Sequence, residues 1–429
     1  MRILILNQFF YPDHSATSQL MTDLAEGLVD RGFQVTAISS RGRYNGGEKL
    51  PGKETHHGVR IERAWATNFG KANIAGRLCD YLSFYIGAAF KLLFAPKHDI
   101  VMALTTPPLI GLVAVAIGRL RGMQVVALMQ DVYPDVAIAL GALRRRSLLS
   151  RTLGWLTRQM LKGSTRIIVL GECMKDRIVE IIGPERLSRI DVIHNWADGA
   201  TIKPIDEKES SFAARNRIGN AFVVMFSGNL GQVNDFETLM ESASLLKNRP
   251  DIQFVFIGEG AKKTYIAEYA RINNLTNVRL LPYQPQEDLR VSLAAGHASV
   301  VTLADGLAGL SVPSKSYGIM AAGRPILFVG DRRSSIAALV QTHDCGEVID
   351  CGDAARVAQV IESWAHNRRH ADKLGLNGRA AFEKYFDRPI AIESYVQCFL
   401  RCGVSGVKSW DIGEPAASSV PSPSSESLV

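Results

Sequence analysis

The 429-residue sequence contains only six cysteines, and their arrangement excludes the sites that cysteines usually build. None of them belongs to a CxxC pair, and Cys398 and Cys402, which lie one helical turn apart, have no histidine pair beside them. A disulfide-stapled secreted domain needs a much denser cysteine framework, and a structural zinc site needs four ligands at short spacings. We therefore expect six reduced cysteines that serve packing in a protein of the cytosol.

Long hydrophobic runs are also missing. The longest candidate, YLSFYIGAAFKLLF at residues 81–94, is interrupted by Lys91 and falls short of the ~20 apolar residues that cross a bilayer. The opening segment MRILIL leads directly to Asn7 and is too short for the core of a signal peptide. These features predict a protein without a membrane span or a secretory leader.

The widespread nucleotide and hydrolase motifs do not occur either. The loop after the first predicted strand reads NQFFYP at residues 7–12 instead of GxGxxG, and there is no GxxxxGK[ST], HExxH or GxSxG. No DxD-type carboxylate pair stands in a candidate phosphate loop, so we expect no essential metal and no cofactor. The net charge of +7 favours an anionic partner, but dispersed cations and the lack of a nucleic-acid motif argue against DNA or RNA.

What the sequence does contain is a repeated alternation of strands and helices, which is typical of parallel sheets. RILIL, an amphipathic helix at 17–32 and FQVTAIS form a first β-α-β unit, and a second alternation begins near residue 221. The pattern predicts an α/β protein with two Rossmann-like domains facing across a cleft. We place the first at 1–202 and the second at 203–385, with a polar junction at 203–217 and a disordered tail at 403–429.

Glycine loops follow three strands of the second half, at 227–231, 258–260 and 305–311. Glycine allows backbone N–H groups to approach a phosphate closely, and a helix predicted at 314–322 places Lys315 at its positive end. Ligands of such sheets bind beyond the carboxyl ends of the strands. The second half is therefore expected to carry an anion site.

Six sequence segments together resemble the family 4 glycosyltransferases of the GT-B fold, of the bacterial colanic-acid, O-antigen and capsule type. They span the chain in the order and spacing of that family, and the similarity extends over residues 1–402. The segments are DVYPDVAIALGAL (131–143), VIHNWAD (192–198), FSGNLGQVNDFETLMESA (226–243), FIGEGAKK (256–263), LPYQPQEDL (281–289) and VPSKSYGIMAAGRPI (312–326).

The resemblance implies a donor site on the second half for a UDP- or GDP-sugar. Gly228, Asn229, Ser314 and Lys315 would cradle the diphosphate, and Lys315 with the helix dipole would stabilise the charge that builds on the leaving phosphate. Tyr283 and nearby backbone would meet the base. The remaining positions implied for the donor, through backbone amides or glycine loops, are Gly258, Glu259, Gly309, Leu310 and Ser311. For Glu259, a solvated residue at the tip of its loop is the alternative.

Several family positions are altered here. Gly318 stands where many members carry the second glutamate of an E-x7-E pattern, and Asp305 is only a loose stand-in for the first. Asn229 and Asn234 replace a common arginine and lysine. Lys315 and Arg324 would then carry more of the phosphate charge, although a solvated residue at the start of a strand is the alternative for Arg324.

The first half is expected to bind the acceptor. Asp131 and His14 lie in loops after strands and are candidates for contacts with acceptor, sugar or phosphate; helix caps are the alternatives. The resemblance implies that anomeric configuration is retained. We expect a front-face reaction in which the leaving phosphate helps to deprotonate the acceptor, because no paired carboxylates for a double displacement are evident, but the sequence leaves both routes open. A final segment, 386–402, would cross back to the first domain.

The resemblance also implies work at the inner face of the cytoplasmic membrane, in surface-polysaccharide assembly. The donated group would be a hexosyl, N-acetylhexosaminyl or fucosyl unit, and the acceptor a polyprenyl-diphosphate-linked sugar or an oligosaccharide. The stretches 77–97 and 144–163 combine cations with apolar residues and suit an anionic surface, with a helix packed on the sheet as the alternative. Two other functions stay open: a sugar-nucleotide epimerase of the same fold, and a non-catalytic sugar-nucleotide-binding subunit.

Overall fold

A computed structural model describes residues 1–44, 46–69, 74–205, 212, 215–216, 218, 220–284 and 289–403. Two sheets, each covered by helices, organise the chain, one of eight strands and one of six. The two-domain α/β fold expected from the sequence is confirmed. Most of the predicted junction at 203–217, the start of a helix predicted at 286–295 and residues 404–429 of the predicted tail lie outside the described residues.

The first sheet has the order β3-β4-β2-β1-β5-β6-β7-β8 and is parallel except at one edge. Its strands are β1 (Arg2–Leu6), β2 (Gln34–Ser40), β3 (Lys53–His56), β4 (Val59–Ala64), β5 (Ile100–Ala103), β6 (Gln124–Met129), β7 (Arg166–Val169) and β8 (Ile190–Val192). The helices of this half are α1 (Ala16–Val29), α2 (Ile74–Phe94), α3 (Ile110–Leu120), α4 (Asp135–Ala139), α5 (Leu148–Gly163) and α6 (Glu172–Ile182), followed by a 3₁₀ turn at Pro184–Arg189.

The central strand β1 shows why these segments read as continuous apolar runs. Ile3 and Ile5 pack into the core that contains α1, whereas Leu4 and Leu6 pack on the opposite face against α2 and α3. A strand covered on both faces has no polar side, which is typical of parallel sheets. Neither the antiparallel edge strand β3 nor its partner β4 was predicted from the sequence. The residues of β3, KETH, are polar, and only its hairpin to β4 keeps it in the sheet.

The second sheet is entirely parallel, with the order β11-β10-β9-β12-β13-β14. Its strands are β9 (Phe222–Ser227), β10 (Ile252–Ile257), β11 (Val278–Leu281), β12 (Ala298–Thr302), β13 (Ile326–Val329) and β14 (Gly346–Ile349). The helices are α7 (Glu237–Leu245), α8 (Lys263–Ile272), α9 (Leu289–Ala294), α10 (Lys315–Ala321), α11 (Ser335–Thr342), α12 (Ala354–His366), α13 (Arg368–Tyr385) and α14 (Arg388–Leu400).

The last helix, α14, packs on the first half. Ala197 and Asp387 form a β-bridge just before it, and Arg388 donates to the carbonyl oxygen of Asp23 at 3.2 Å. The buried ring of Tyr395 meets Trp196 edge-on, with 5.8 Å between ring centroids. The helix therefore ties the end of the second half to the first. Among the described helices, none combines the length and hydropathy needed to cross a bilayer.

Candidate active site between the two sheets

A cavity of about 780 Å³ lies between the two halves and is lined by both. Its walls come from the loops that follow β1, β2, β4, β5 and β6 in the first sheet and β9, β10 and β12 in the second. These loops stand at the carboxyl ends of parallel strands, where α/β proteins bind their ligands. The cavity is therefore the candidate site of both halves together.

Lys315 begins α10 and projects into this cavity. Its Nζ is fully buried, and within the described part of the chain it has no hydrogen-bond partner. The atom lies 3.4 Å from the ring centroid of Phe226, and a Cβ placed on Gly228 would lie 3.6 Å from it. A cation–π contact compensates only part of the cost of a buried ammonium group, so the arrangement favours an anion beside Nζ.

Burial lowers the pKa of Lys315 to about 7. The ammonium form is disfavoured because the protein replaces water around Nζ without supplying a counter-charge. A phosphate beside Nζ would reverse that preference and raise the pKa again. Strongly perturbed lysines in clefts are frequent at functional sites, and here geometry and pKa agree.

The glycine loops of the second half meet directly beneath Lys315. Gly258 has φ +145° and packs so closely that a Cβ there would lie 1.9 Å from the carbonyl oxygen of Gly228. At Gly260, with φ +154°, a Cβ would lie 2.8 Å from Oδ1 of Asn229. Asn234 braces the same loop by donating to the carbonyl oxygens of Asn229 and Gly231 at 3.1 and 3.3 Å. The altered residues Asn229 and Asn234 thus shape the loop, and Lys315 supplies the cation there.

Asp131 connects the halves at the floor of the cavity. It forms an antiparallel bridge with Ser311, and the amide of the next residue, Val132, donates to the carbonyl oxygen of Leu310 at 2.9 Å. Burial raises the pKa of the Asp131 carboxyl, and a hydrogen bond with Ser311 acts in the opposite direction. The carboxyl of the first half is therefore held against the loop that follows β12 in the second half.

Two expectations about the phosphate contacts do not fit the geometry. Arg324 lies outside the cavity lining and donates to the carbonyl oxygens of Ala294 and Ile205 at 2.5 and 3.3 Å, so it joins backbone segments instead of facing a phosphate. The amides of Leu310 and Ser311 donate to the carbonyl oxygen of Leu307 at 3.0 and 3.3 Å. Those two amides are occupied by a turn that the sequence did not reveal.

The other predicted positions lie at or beyond the rim. Gly309 has φ +74° and contacts Cys173 of the first half, whereas Ser314 lines the cavity.

Tyr283 is 45% exposed and its ring borders Gly258. Glu259 is exposed and pairs with Lys263 at 2.6 Å. His14 is exposed and is not among the residues that line the cavity.

Some cavity residues were missed by reading the sequence. Arg43, Arg77, Tyr81 and Tyr133 line the first-half wall, and Phe226 lies under Lys315. Arg43, in the loop after β2, and Tyr133, in the loop after β6, could have been predicted from their positions just beyond the ends of strands. Arg77 gave no local signal, because α2 reaches the cavity only through its packing on the sheet.

Models of two protein families match the chain. The "Glycosyl transferase 4-like domain" matches residues 17–196, and "Glycosyl transferases group 1" matches residues 207–381. The two matches correspond to the halves that build the cavity.

Individual relatives agree with these models. A Pseudomonas aeruginosa protein named as a glycosyltransferase, WbjE, is 26% identical over 71% of this chain and 75% of its own length. An Escherichia coli protein named for colanic acid biosynthesis, WcaI, is 22% identical over 80% of this chain and 86% of its own. The structure of Anabaena HepE, solved with UDP and glucose, superposes with a TM-score of 0.71, covers 94% of this chain and 100% of that one, and is 16% identical.

Proposed function

Since the chain belongs to the group 1, family 4 glycosyltransferases of the GT-B fold, which transfer a sugar from a nucleotide sugar, we propose that it retains the configuration of the sugar and acts in bacterial surface-polysaccharide assembly. The acceptor is a lipid-linked saccharide at the inner face of the cytoplasmic membrane. The similarity to WcaI supports the pathway, and the similarity to HepE, which was solved with UDP and glucose, supports a UDP-sugar as first choice of donor.

One observation carries the donor assignment: the unpartnered, buried Nζ of Lys315 beside the glycine loop at Gly228. The nucleotide diphosphate lies along this loop, with the β-phosphate against Nζ. When the bond between the sugar C1 and the β-phosphate oxygen breaks, negative charge grows on that oxygen. A cation held in a dry cavity stabilises this charge more strongly than one in water.

The reaction takes place on one face of the sugar. The C1–O bond to the β-phosphate breaks, the acceptor hydroxyl oxygen bonds to C1, and its proton passes to the departing β-phosphate oxygen, so that a nucleoside diphosphate is released. Asp131 contacts the acceptor or the sugar from the first half, close to Ser311. Its raised pKa suits a group that exchanges hydrogen bonds with sugar hydroxyls in a buried site.

The membrane is reached through exposed residues of α2 and α5. Large apolar side chains stand exposed along one face of α2: Leu78, Leu82, Ile86, Phe90, Leu93 and Phe94. On α5, Leu148 and Trp155 are exposed among Arg151 and Arg158, and three arginines at 144–146 precede the helix. Apolar side chains interspersed with cations suit the headgroup region of an anionic bilayer. An anionic bilayer is therefore the occupant we assign to this surface.

The proposal is tested by incubating the protein with labelled UDP- and GDP-sugars and a bacterial lipid extract. Transfer of label to a lipid-linked product is the expected result, with a mass spectrum showing one added sugar and an NMR spectrum showing that the new glycosidic bond has the anomeric configuration of the donor. A changed donor sugar without any acceptor would instead indicate an epimerase. Donor binding without turnover would indicate a binding subunit. Either of these results overturns the transferase proposal.

A further inference from the structure

The first-half rim of the cavity carries two arginines that the donor chemistry does not use. Arg43 lies in the loop after β2, and Arg77 lies in the first turn of α2; both are exposed and both line the cavity. In the part of the chain that the structure describes, neither forms an ion pair. Two cations from separate elements therefore face the cavity with their charge available.

The surroundings of Arg77 place it on the acceptor side of the reaction. Its Nε donates to the hydroxyl oxygen of Tyr81 at 2.8 Å, and its Cζ lies 5.5 Å from the centre of that ring. Tyr44 and Tyr133 are close enough to act on its pKa. Tyr133 stands two residues after Asp131, so Arg77 lies beside the loop that touches the donor half.

Two carboxylates of the first half, Asp80 in the cavity wall and Asp13 outside it, accept hydrogen bonds from neighbouring groups. Asp80 is buried and accepts from the hydroxyl of Thr67 at 2.8 Å and from the amide of Phe69 at 2.9 Å. Asp13 accepts from the amide of Tyr44 at 2.9 Å, and burial raises the pKa of its carboxyl. Because Asp80 is buried whereas Arg43 and Arg77 are exposed, the two guanidinium groups are the more accessible charges for a ligand at this rim.

An apolar path starts next to this positive rim. Leu78 follows Arg77 directly, and the exposed face of α2 continues through Leu82, Ile86 and Phe90 at a spacing of four residues. On a helix this spacing forms one row, which rises about 6 Å per step. A ligand with an anionic head at Arg77 and an apolar tail matches both features.

We propose that Arg43 and Arg77 bind the diphosphate of a polyprenyl-diphosphate-linked acceptor, and that its prenyl chain leaves the cavity along the exposed row of α2. This inference rests on the proposed function in taking the acceptor as lipid-linked. Guanidinium groups form paired hydrogen bonds to phosphate oxygens, which suits them to a diphosphate. The enzyme then has two diphosphate subsites, one at Lys315 for the donor and one at the opposite rim for the acceptor.

Farnesyl diphosphate is a suitable probe, and its binding is measured by titration calorimetry below its micelle concentration. Arg77→Ala is expected to weaken binding at least about tenfold, and Arg43→Ala at least about threefold, because each removes charge-assisted hydrogen bonds. Lys315→Met should leave the affinity within about threefold. Arg60→Ala, which removes an exposed arginine of β4 outside the cavity, is the matched control and should bind as the wild type does.

A second comparison separates the head from the tail. Inorganic pyrophosphate should bind more weakly than farnesyl diphosphate and should respond to Arg77→Ala but not to Leu82→Asp, whereas farnesyl diphosphate should respond to both. Equal affinity for the two probes would overturn the path along α2. Binding that is lost in Lys315→Met and unchanged in Arg77→Ala would overturn the subsite, because the probe would then occupy the donor position.

The binding of farnesyl diphosphate and the transfer assay test the subsite and the proposed function independently of each other. Farnesyl diphosphate binding that depends on Arg77 in a protein without transferase activity would support the subsite and reject the proposed function. If the protein transfers sugar to a lipid acceptor and Arg77→Ala leaves the KM for acceptor unchanged, the proposed function is supported and the subsite is rejected. The KM for donor, which a general loss of structure would also raise, serves as the internal comparison.

Discussion

At the scale of single residues, the fold holds the ammonium group of Lys315 in an energetically unfavourable position. An unpartnered ammonium group in a buried position costs free energy, and the ring of Phe226 offsets only part of that cost. In the function that we propose, the cost is recovered when a nucleotide diphosphate binds, and Lys315 would then exchange stability of the free protein for affinity and catalysis.

Replacing Lys315 by Met separates these two contributions. The variant is expected to lose about 10²- to 10³-fold in kcat, the magnitude seen when one group that stabilises transition-state charge is removed. The same variant should melt at a higher temperature, since a buried charge without a partner has been replaced by an apolar side chain of similar length. Kinetics with a labelled donor and thermal melting monitored by circular dichroism measure the two effects. Unchanged turnover would refute the role of Lys315.

Donor binding should also depend on pH. The pKa of Lys315 is lowered to about 7 in the free protein and is expected to rise when phosphate binds, so the complex holds a proton that the free protein loses above pH 7. Affinity for the nucleotide should therefore fall as the pH rises above 7. At pH 8, calorimetry in two buffers of different ionisation enthalpy should detect uptake of close to one proton. In Lys315→Met this uptake should vanish, and its persistence there would assign the proton to another group.

At the scale of elements, α2 has three functions, two of them along one face, whose N-terminal end reaches the cavity, and the third on its outward face. Phe84, Ala88 and Leu92 pack on the first sheet, Arg77 and Tyr81 line the cavity, and an apolar row faces outward. Exposed apolar patches of this extent on a protein surface mark interaction sites. The helix joins the cavity to the surface that we assign to the membrane.

Charge placed in the outward row should prevent docking. Leu82→Asp with Ile86→Asp is expected to reduce binding to vesicles containing phosphatidylglycerol at least tenfold, because two side chains that are 60% and 70% exposed would no longer enter the apolar layer and would be repelled by anionic lipid. Sedimentation with vesicles measures the bound fraction. Leu376→Asp, at an equally exposed leucine of α13, is the matched control. Equal vesicle binding by the double variant and this control would contradict the assignment.

At the scale of the whole molecule, contacts at several places hold the halves around the cavity, among them Cys173 Sγ to the carbonyl oxygen of Arg333 at 2.7 Å and the two described next. One is at its floor, between Asp131 and Ser311, and the other is the return of α14 to α1 and the Trp196 region. The hydroxyl of Tyr395 is buried there and, among the residues described, has no hydrogen-bond partner. Apolar packing of its ring, and not a hydrogen bond of its hydroxyl, therefore stabilises the contact of α14 with the first half.

Two substitutions at Tyr395 test this account of α14. Tyr395→Ala should lower the free energy of unfolding by about 3–5 kcal/mol, the usual cost of deleting a fully buried aromatic ring. Tyr395→Phe removes only the unpartnered hydroxyl and should leave stability unchanged or raise it by about 1 kcal/mol. Urea titration measures both. A loss in Tyr395→Phe as large as that in Tyr395→Ala would show that the hydroxyl, and not the ring, anchors the helix.

The sequence by itself determined the two α/β halves, because strand and helix periodicities are local properties that a buried parallel sheet imposes on nearly every residue of β1 or β9. It also indicated Lys315, since a glycine loop and a cation at a helix start are readable without long-range information. The edge strand β3 escaped notice because its polar residues lack the buried pattern.

Only the tertiary structure determined which residues the predicted segments and side chains contact. Arg324 has the charge expected of a phosphate ligand, yet packing directs it to the carbonyl oxygens of Ala294 and Ile205. Arg77 is brought to the cavity by the packing of a helix whose sequence shows only an apolar stretch with flanking cations. Asp131 and Ser311 meet across 180 positions of chain. Such contacts depend on how two sheets dock, and that geometry results from the summed burial of many side chains rather than from any local pattern.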